Sequence, residues 1–269
     1  MYNTLTLPTV IKASHQIKSE FLKRTVDIEI FSPDNLLGNE RVNLLLLNDG
    51  QDLEQMGLAD TLSYLYEKWK IEPTIVVGIK ASNDRLMEYG ISNRPDFKKR
   101  GAKAALYTEF IIKELIPYVQ SEVDVTINGK RAFAGFSLGG LTAFDIAWNN
   151  DNYFDCVGVF SGSFWWRKKD LKEGYTDDDR ILHEMIRETK TKPDLKFWLM
   201  TGTDDEIADR NHNFIIDSID DTIDVVKELM KKGYHRPQDI FYYEMVGGKH
   251  DVPTWGKAMP AFLTWAFGK

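Results

Sequence analysis

The sequence predicts an α/β protein with a mostly parallel central sheet, antiparallel strands at its N-terminal end and helices on both faces. Three observations lead there. Nearly continuous apolar runs such as Val42, Asn43, Leu44, Leu45, Leu46 and Leu47 recur along the chain, as expected of strands buried on both faces. Apolar residues at helical spacing fill the stretches between these runs. The early segment instead alternates, most clearly in Arg24, Thr25, Val26, Asp27, Ile28, Glu29, Ile30 and Phe31, and alternation implies antiparallel strands with one wet face. At 269 residues, 43% of them hydrophobic and 28% charged, a single domain over 1–269 is the natural reading.

Taken in order, residues 10–31 carry the alternating strands, and His15 among them reads as a surface or packing residue. Ser32, Pro33, Asp34 and Asn35 break the pattern, and 36–41 form a connecting loop. The run at 42–47 ends in Asn48, Asp49, Gly50, Gln51 and Asp52 and passes into a helical pattern through Trp69. Residues 74–79 make another buried strand, and 102–119 a long amphipathic helix with Tyr107, Phe110, Ile111, Leu115 and Ile116. The polar loop between them carries Asn83, Asp84, Arg85, Glu88, Tyr89, Asn93, Arg94 and Asp96, and is long enough to rim a pocket. Residues 156–162 are a short strand, and 168–188 a charged insertion in which Asp177, Asp178 and Asp179 mark a helix start. Core strands at 195–201 and 239–246 follow, separated by a helix over 219–232 that Gly233 stops. A terminal helix carries Trp255, Met259, Phe262 and Trp265.

The formal net charge of -7 argues against a general nucleic-acid or anionic-membrane binder. The single cysteine, Cys156, excludes an internal disulfide and a cysteine zinc cluster, and its apolar surroundings mark it as a buried structural thiol. With no basic segment followed by an apolar stretch, the N-terminus reads as that of a cytoplasmic protein, unless a leader has been removed. No membrane partner is expected, and the oligomeric state is not legible.

Chemistry concentrates at 131–141, RAFAGFSLGGL, where Gly135, Ser137 and Gly139 form G-x-S-x-G. Ala132, Phe133, Ala134 and Phe136 suit a buried strand, whereas Leu138, Leu141, Phe144, Ile146 and Ala147 recur at helical spacing. Ser137 therefore stands at a strand-to-helix joint, where free N–H groups favour an oxyanion. Later strands end in Gly202, Thr203, Asp204, Asp205 and in Gly247, Gly248, Lys249, His250. The order serine, acid, histidine is that of an α/β-hydrolase triad. Among the five histidines, only His250 follows a core strand through two glycines. It would take the Ser137 proton and return it to the leaving alcohol. Asp204, Asp205 and Asp209 all lie near their strand end, with Asp205 favoured as the acid. The loop after the 42–47 strand supplies Gly50 and Gln51 as candidates for an oxyanion wall. The Gln51 amide would act with the Leu138 amide, each such donor being worth about 3 kcal/mol of transition-state stabilisation.

At this point the chain resembles the esterase D-like or "putative esterase" branch of α/β-hydrolases, which includes enterochelin, feruloyl and acetyl xylan esterases. The resemblance rests on LLLLNDGQD at 44–52, RLMEYG at 85–90, ELIPYV at 114–119, AFAGFSLGG at 132–140, GTDD at 202–205 and GGKHDVPTW at 247–255. It implies an α/β-hydrolase fold and makes the second aspartate of GTDD, Asp205, the acid.

The expectation is thus a serine carboxylesterase with a small-molecule ester substrate, acting through an acyl-enzyme without a catalytic cofactor. An aryl, siderophore or carbohydrate ester is the expected substrate class, and Trp165 and Trp166 are candidate substrate-binding residues, because two adjacent tryptophans cannot both point inward. An acyltransferase using the same acyl-enzyme, and a non-catalytic hydrolase-fold binding module, are the alternatives. One stretch stands apart. Asp209, Asn211, Asn213, Asp217 and Asp220 fall at positions 1, 3, 5, 9 and 12 of a calcium-loop template, with Ile215 at 7, but Phe214 replaces the usual glycine. The stretch reads as a structural calcium site or as a polar loop capping the next helix.

Overall fold

The computed structural model describes residues 9–34, 36 and 40–269. Asn35, residues 37–39 of the expected connecting loop and the first eight residues lie outside the described residues. β1 (Val10–Ser19) and β2 (Arg24–Pro33) form the antiparallel pair; exposure alternates over His15–Ser19 and Arg24–Ile28, whereas Glu29 and Phe31, expected on the wet face, are buried. β3 (Val42–Asn48) leads through a single helical turn at Gly50–Asp52 into α1 (Leu58–Glu67), and β4 (Thr74–Ile79) follows.

The polar stretch expected as a pocket-rimming loop contains a short helix, α2 (Arg85–Glu88). The long helix is present but interrupted: α3 (Ala104–Phe110) widens into a π turn at Ile111–Leu115 before α4 (Ile116–Glu122). Next come β5 (Ile127–Phe136), α5 (Leu138–Asn149), β6 (Cys156–Phe160), α6 (Ile181–Glu188), β7 (Lys196–Asp204), α7 (Asp217–Lys231), β8 (Ile240–Lys249) and α8 (Val252–Phe267). The three aspartates at 177–179 do start a helical turn, with Thr176 and Asp179 closing a capping box.

These strands form one sheet in the order β1-β2-β4-β3-β5-β6-β7-β8, parallel from β4 onward. This is the α/β-hydrolase arrangement. Why the core strands read as nearly continuous apolar runs is now plain. Leu44 and Leu46 face one cluster beneath α3 to α7, whereas Leu45 and Leu47 face a second cluster beneath α1 and α8. Because the strands from β3 onward run the same way, their C-terminal ends open onto one rim, where this architecture places ligands. No helix among the described residues is long and apolar enough to cross a membrane.

Candidate active site

Ser137 sits between β5 and α5 with φ 53° and ψ −121°, a backbone conformation that costs a non-glycine residue of order 1–3 kcal/mol. The sharpness of the turn explains its flanking glycines. A Cβ on Gly135 would collide with the backbone of Gly139 and Gly140, and one on Gly139 with the Asp49 carboxylate. Leu138 is the first residue of α5, so its amide is one of the unsatisfied donors of a helix N-terminus. The Ser137 hydroxyl lies 3.3 Å from the hydroxyl of Ser163, a buried residue.

Asp205 follows β7 and is buried, with one carboxylate oxygen accepting from Ser161 Oγ at 3.0 Å and the other from Thr201 Oγ1 at 3.1 Å. Asp204 is exposed, and Asp209 takes the amides of Asn213 and Phe214 within its own loop. Of the three candidate acids, Asp205 is the one whose charge acts on His250.

His250 follows β8, which runs on through Gly247 and Gly248 rather than stopping at Val246. Its pairing with β7 shifts register between Gly202 and Asp204, and the Gly247 amide donates to Thr203 Oγ1 at 2.8 Å. The imidazole packs edge-on against Trp255 at 5.3 Å between ring centroids and makes no side-chain hydrogen bond among the described residues. Surrounding protein atoms push its pKa below the ordinary histidine value by disfavouring the cation. The Asp205 charge opposes that shift, and the Arg85 charge adds to it.

Three features here escaped the sequence. Asp49, in left-handed geometry before the turn at Gly50, holds Arg85 in a bidentate pair, Nε to Oδ1 at 2.6 Å and Nη2 to Oδ2 at 2.8 Å. Ser161, with φ 50°, donates to Asp205 and accepts from Trp255 Nε1 at 3.0 Å, which links the acid to the ring beside His250. Ser163 is the third. Arg85 and both serines lie in stretches already marked as polar or site-adjacent, but no motif predicts their partners.

The remaining candidates divide. Gln51 is exposed and fixes its side chain by accepting the Ala81 amide at 3.0 Å, with its own backbone in the turn beside Asp49; Gly50 is buried in that turn. Of the two candidate substrate-binding tryptophans, Trp166 is the inward ring. It is fully buried against Gly90 and Gly101, with its indole N–H donating to the Arg94 carbonyl at 3.1 Å. Trp165 keeps partial exposure, its ring 4.9 Å from the Arg100 guanidinium. Cys156 is buried, and burial pushes its thiol up to about 12.

In the calcium-like loop Phe214 takes φ 69° where glycine would stand. The loop's acceptors meet its own donors: Asp217 accepts the Arg210 amide at 2.9 Å, and Asp220 accepts from the side-chain amides of Asn211 and Asn213 at 3.1 and 2.6 Å. Among the described residues no group of three or more His, Cys, Asp or Glu is placed to hold a metal.

Comparison with known proteins fits this picture. A family model described as "Putative esterase" matches residues 19–266. The iron(III) enterobactin esterase of Escherichia coli (strain K12) is 22% identical over 239 residues, which are 88% of this chain and 52% of that protein. The enterobactin esterase of Shigella flexneri, in a crystal structure with enterobactin, superposes with a TM-score of 0.74 at 21% identity, covering 98% of this chain and 61% of that one. A ferulic acid esterase superposes with a TM-score of 0.70 at 16% identity, covering 97% of this chain and 98% of that one. The chain spans about half the length of the curated relatives it matches. These structural likenesses establish the fold as that of the α/β-hydrolases. The family match covers most of the sequence, and the chain belongs to the "Putative esterase" family.

Proposed function

We propose that this protein is a serine carboxylesterase working through an acyl-enzyme on Ser137, with His250 as general base and acid and Asp205 as the orienting carboxylate. The observation that carries the reading is the strained elbow at Ser137, at the same sheet rim as an imidazole that feels the Asp205 charge. Strain of this kind persists only where the surrounding structure enforces it, and it lifts a hydroxyl clear of the backbone for attack.

In acylation His250 removes the Ser137 proton as Oγ bonds to the ester carbonyl carbon. The carbonyl oxygen becomes an oxyanion held by the Leu138 and Gln51 amides. His250 then protonates the departing alcohol, and water activated by the same imidazole releases the acid. Asp205 is suited to steady the imidazolium because Ser161 and Thr201 pin both of its oxygens. Hydrogen bonds to the base are often long without substrate and tighten in the reacting complex.

For substrate, the relatives named for enterobactin and ferulic acid favour an aryl or siderophore ester, with a carbohydrate ester as a third class. Trp165 is the candidate contact for such a ring. An acyltransferase would share every step up to loss of the first alcohol. Product analysis with p-nitrophenyl esters and added acceptor alcohols separates the two. Free acid as the sole product supports hydrolysis, and a new ester in proportion to acceptor supports transfer.

A further inference from the structure

Ser163 has no role in the triad just described, yet its hydroxyl is the side-chain partner of the Ser137 hydroxyl among the described residues, at 3.3 Å. Its place is fixed by the backbone. The Ser163 amide donates to the Ser137 carbonyl at 3.1 Å, and only 3% of the residue is exposed. Two residues earlier, Ser161 Oγ grips Asp205, so one short segment after β6 touches both the nucleophile and the acid.

We propose that Ser163 is a second hydroxyl of the catalytic machinery, donating its O–H to Ser137 Oγ as that oxygen gains negative charge; the proposal rests on Ser137 being the nucleophile. To pass its proton to His250, Ser137 must aim its O–H at the imidazole. Only its lone pairs are then left facing Ser163, which makes Ser163 the donor. At rest 3.3 Å is long for an O–H···O bond, whose usual length is about 2.7–2.8 Å. A hydrogen bond to an anionic oxygen is shorter and roughly twice as strong. The contact therefore strengthens as charge develops on Oγ, and an interaction stronger in the transition state than in the ground state raises rate rather than affinity. It acts twice. In acylation the Ser137 proton goes to His250 while Oγ bonds to carbon. In deacylation the C–Oγ bond breaks, the electron pair returns to Oγ and His250 delivers the proton. Ser163 keeps its own proton throughout.

The test compares native protein with Ser163→Ala and Ser163→Thr. Three quantities are read: the rate of fluorophosphonate labelling, kcat and KM for p-nitrophenyl acetate, and Tm. The expected result is a fall of about tenfold or more in both labelling rate and kcat for Ser163→Ala, with KM within about twofold and most of the rate recovered by Ser163→Thr. Should alanine unfold the protein, Ser163→Cys, which keeps the volume but is a weak donor, is expected to show the same fall. Native-like labelling and kcat in a folded Ser163→Ala or Ser163→Cys protein would overturn the role of Ser163 alone. So would an equal loss in Ser163→Ala and a folded Ser163→Thr, which would make the effect one of packing. If the native protein takes no label, the nucleophile reading fails and the role of Ser163 falls with it.

Discussion

Arg85 carries a fixed positive charge close enough to His250 to disfavour the imidazolium, and Asp49 holds it there through two short hydrogen bonds. A base must be neutral to accept a proton, so in the proposed mechanism this charge extends the working range downward in pH. The sign is definite. With a His250 pKa below its usual value, the proposed mechanism predicts a kcat/KM that rises on the acid side as His250 deprotonates. Arg85→Gln removes the cation, and its loss favours a protonated ring. The acid limb of its kcat/KM profile is therefore expected to move to higher pH, with activity recovering toward the native value in alkali. An unmoved limb in a folded variant would mean that Arg85 does not act on His250. At the same scale Cys156, buried with its thiol pushed up to about 12, is expected to resist thiol reagents until the protein unfolds.

Among the elements, α5 does more than present Ser137. In its buried middle, Asp145 accepts the Ser92 amide at 2.9 Å and the Asn149 side-chain amide at 2.9 Å, tying the polar stretch after α2 to the helix that follows Ser137. Burial raises its pKa from 3.8 to about 7. Between these values the folded protein holds a proton that the unfolded chain has lost, so stability falls as pH rises through this window. The effect is on the order of a few kcal/mol. Asp145→Asn, which cannot titrate, is expected to flatten the decline in unfolding free energy between about pH 4 and about pH 7, measured by urea denaturation. A decline as steep as the native one would contradict this. The loop before α7 is braced differently. Asp221 receives both Arg180 and Arg210, and Arg210 also pairs with Asp217 at 3.2 Å, so the loop after Asp205 is tied to the 168–188 insertion. Since the loop's acceptors already meet its own donors, added millimolar calcium is expected to leave Tm unchanged. A rise of several degrees with calcium but not magnesium would establish a cation site there.

Across the whole molecule, much of the fold follows from periodicity alone. A strand buried on both faces, such as β3, has no solvent-facing position, and the edge pair β1 and β2 alternates where one face is wet, at His15–Ser19 and Arg24–Ile28. The elbow was legible because its chemistry needs two glycines and a serine within five positions, and His250 because it follows a core strand through two glycines. What the sequence left open depends on contacts between distant segments. Asp49 and Arg85 lie 36 positions apart and Ser137 and Ser163 lie 26 apart, and no local pattern couples either pair. The tryptophan pair shows the same limit. Adjacency implied one inward ring, but only packing against Gly90 and Gly101 selects Trp166. The π turn at Ile111–Leu115 left no trace in a sequence that reads as uniformly helical.

The proposed reaction turns on one atom, Ser137 Oγ. The most direct measurement is turnover of short-chain and aryl p-nitrophenyl esters by the native protein and by Ser137→Ala, alongside fluorophosphonate labelling with the modified residue located by mass spectrometry. A nucleophilic Ser137 predicts one label, on that residue, and a loss of about 10⁴-fold or more in kcat for the alanine variant. Absence of label on well-folded native protein, or undiminished turnover by Ser137→Ala, would contradict it.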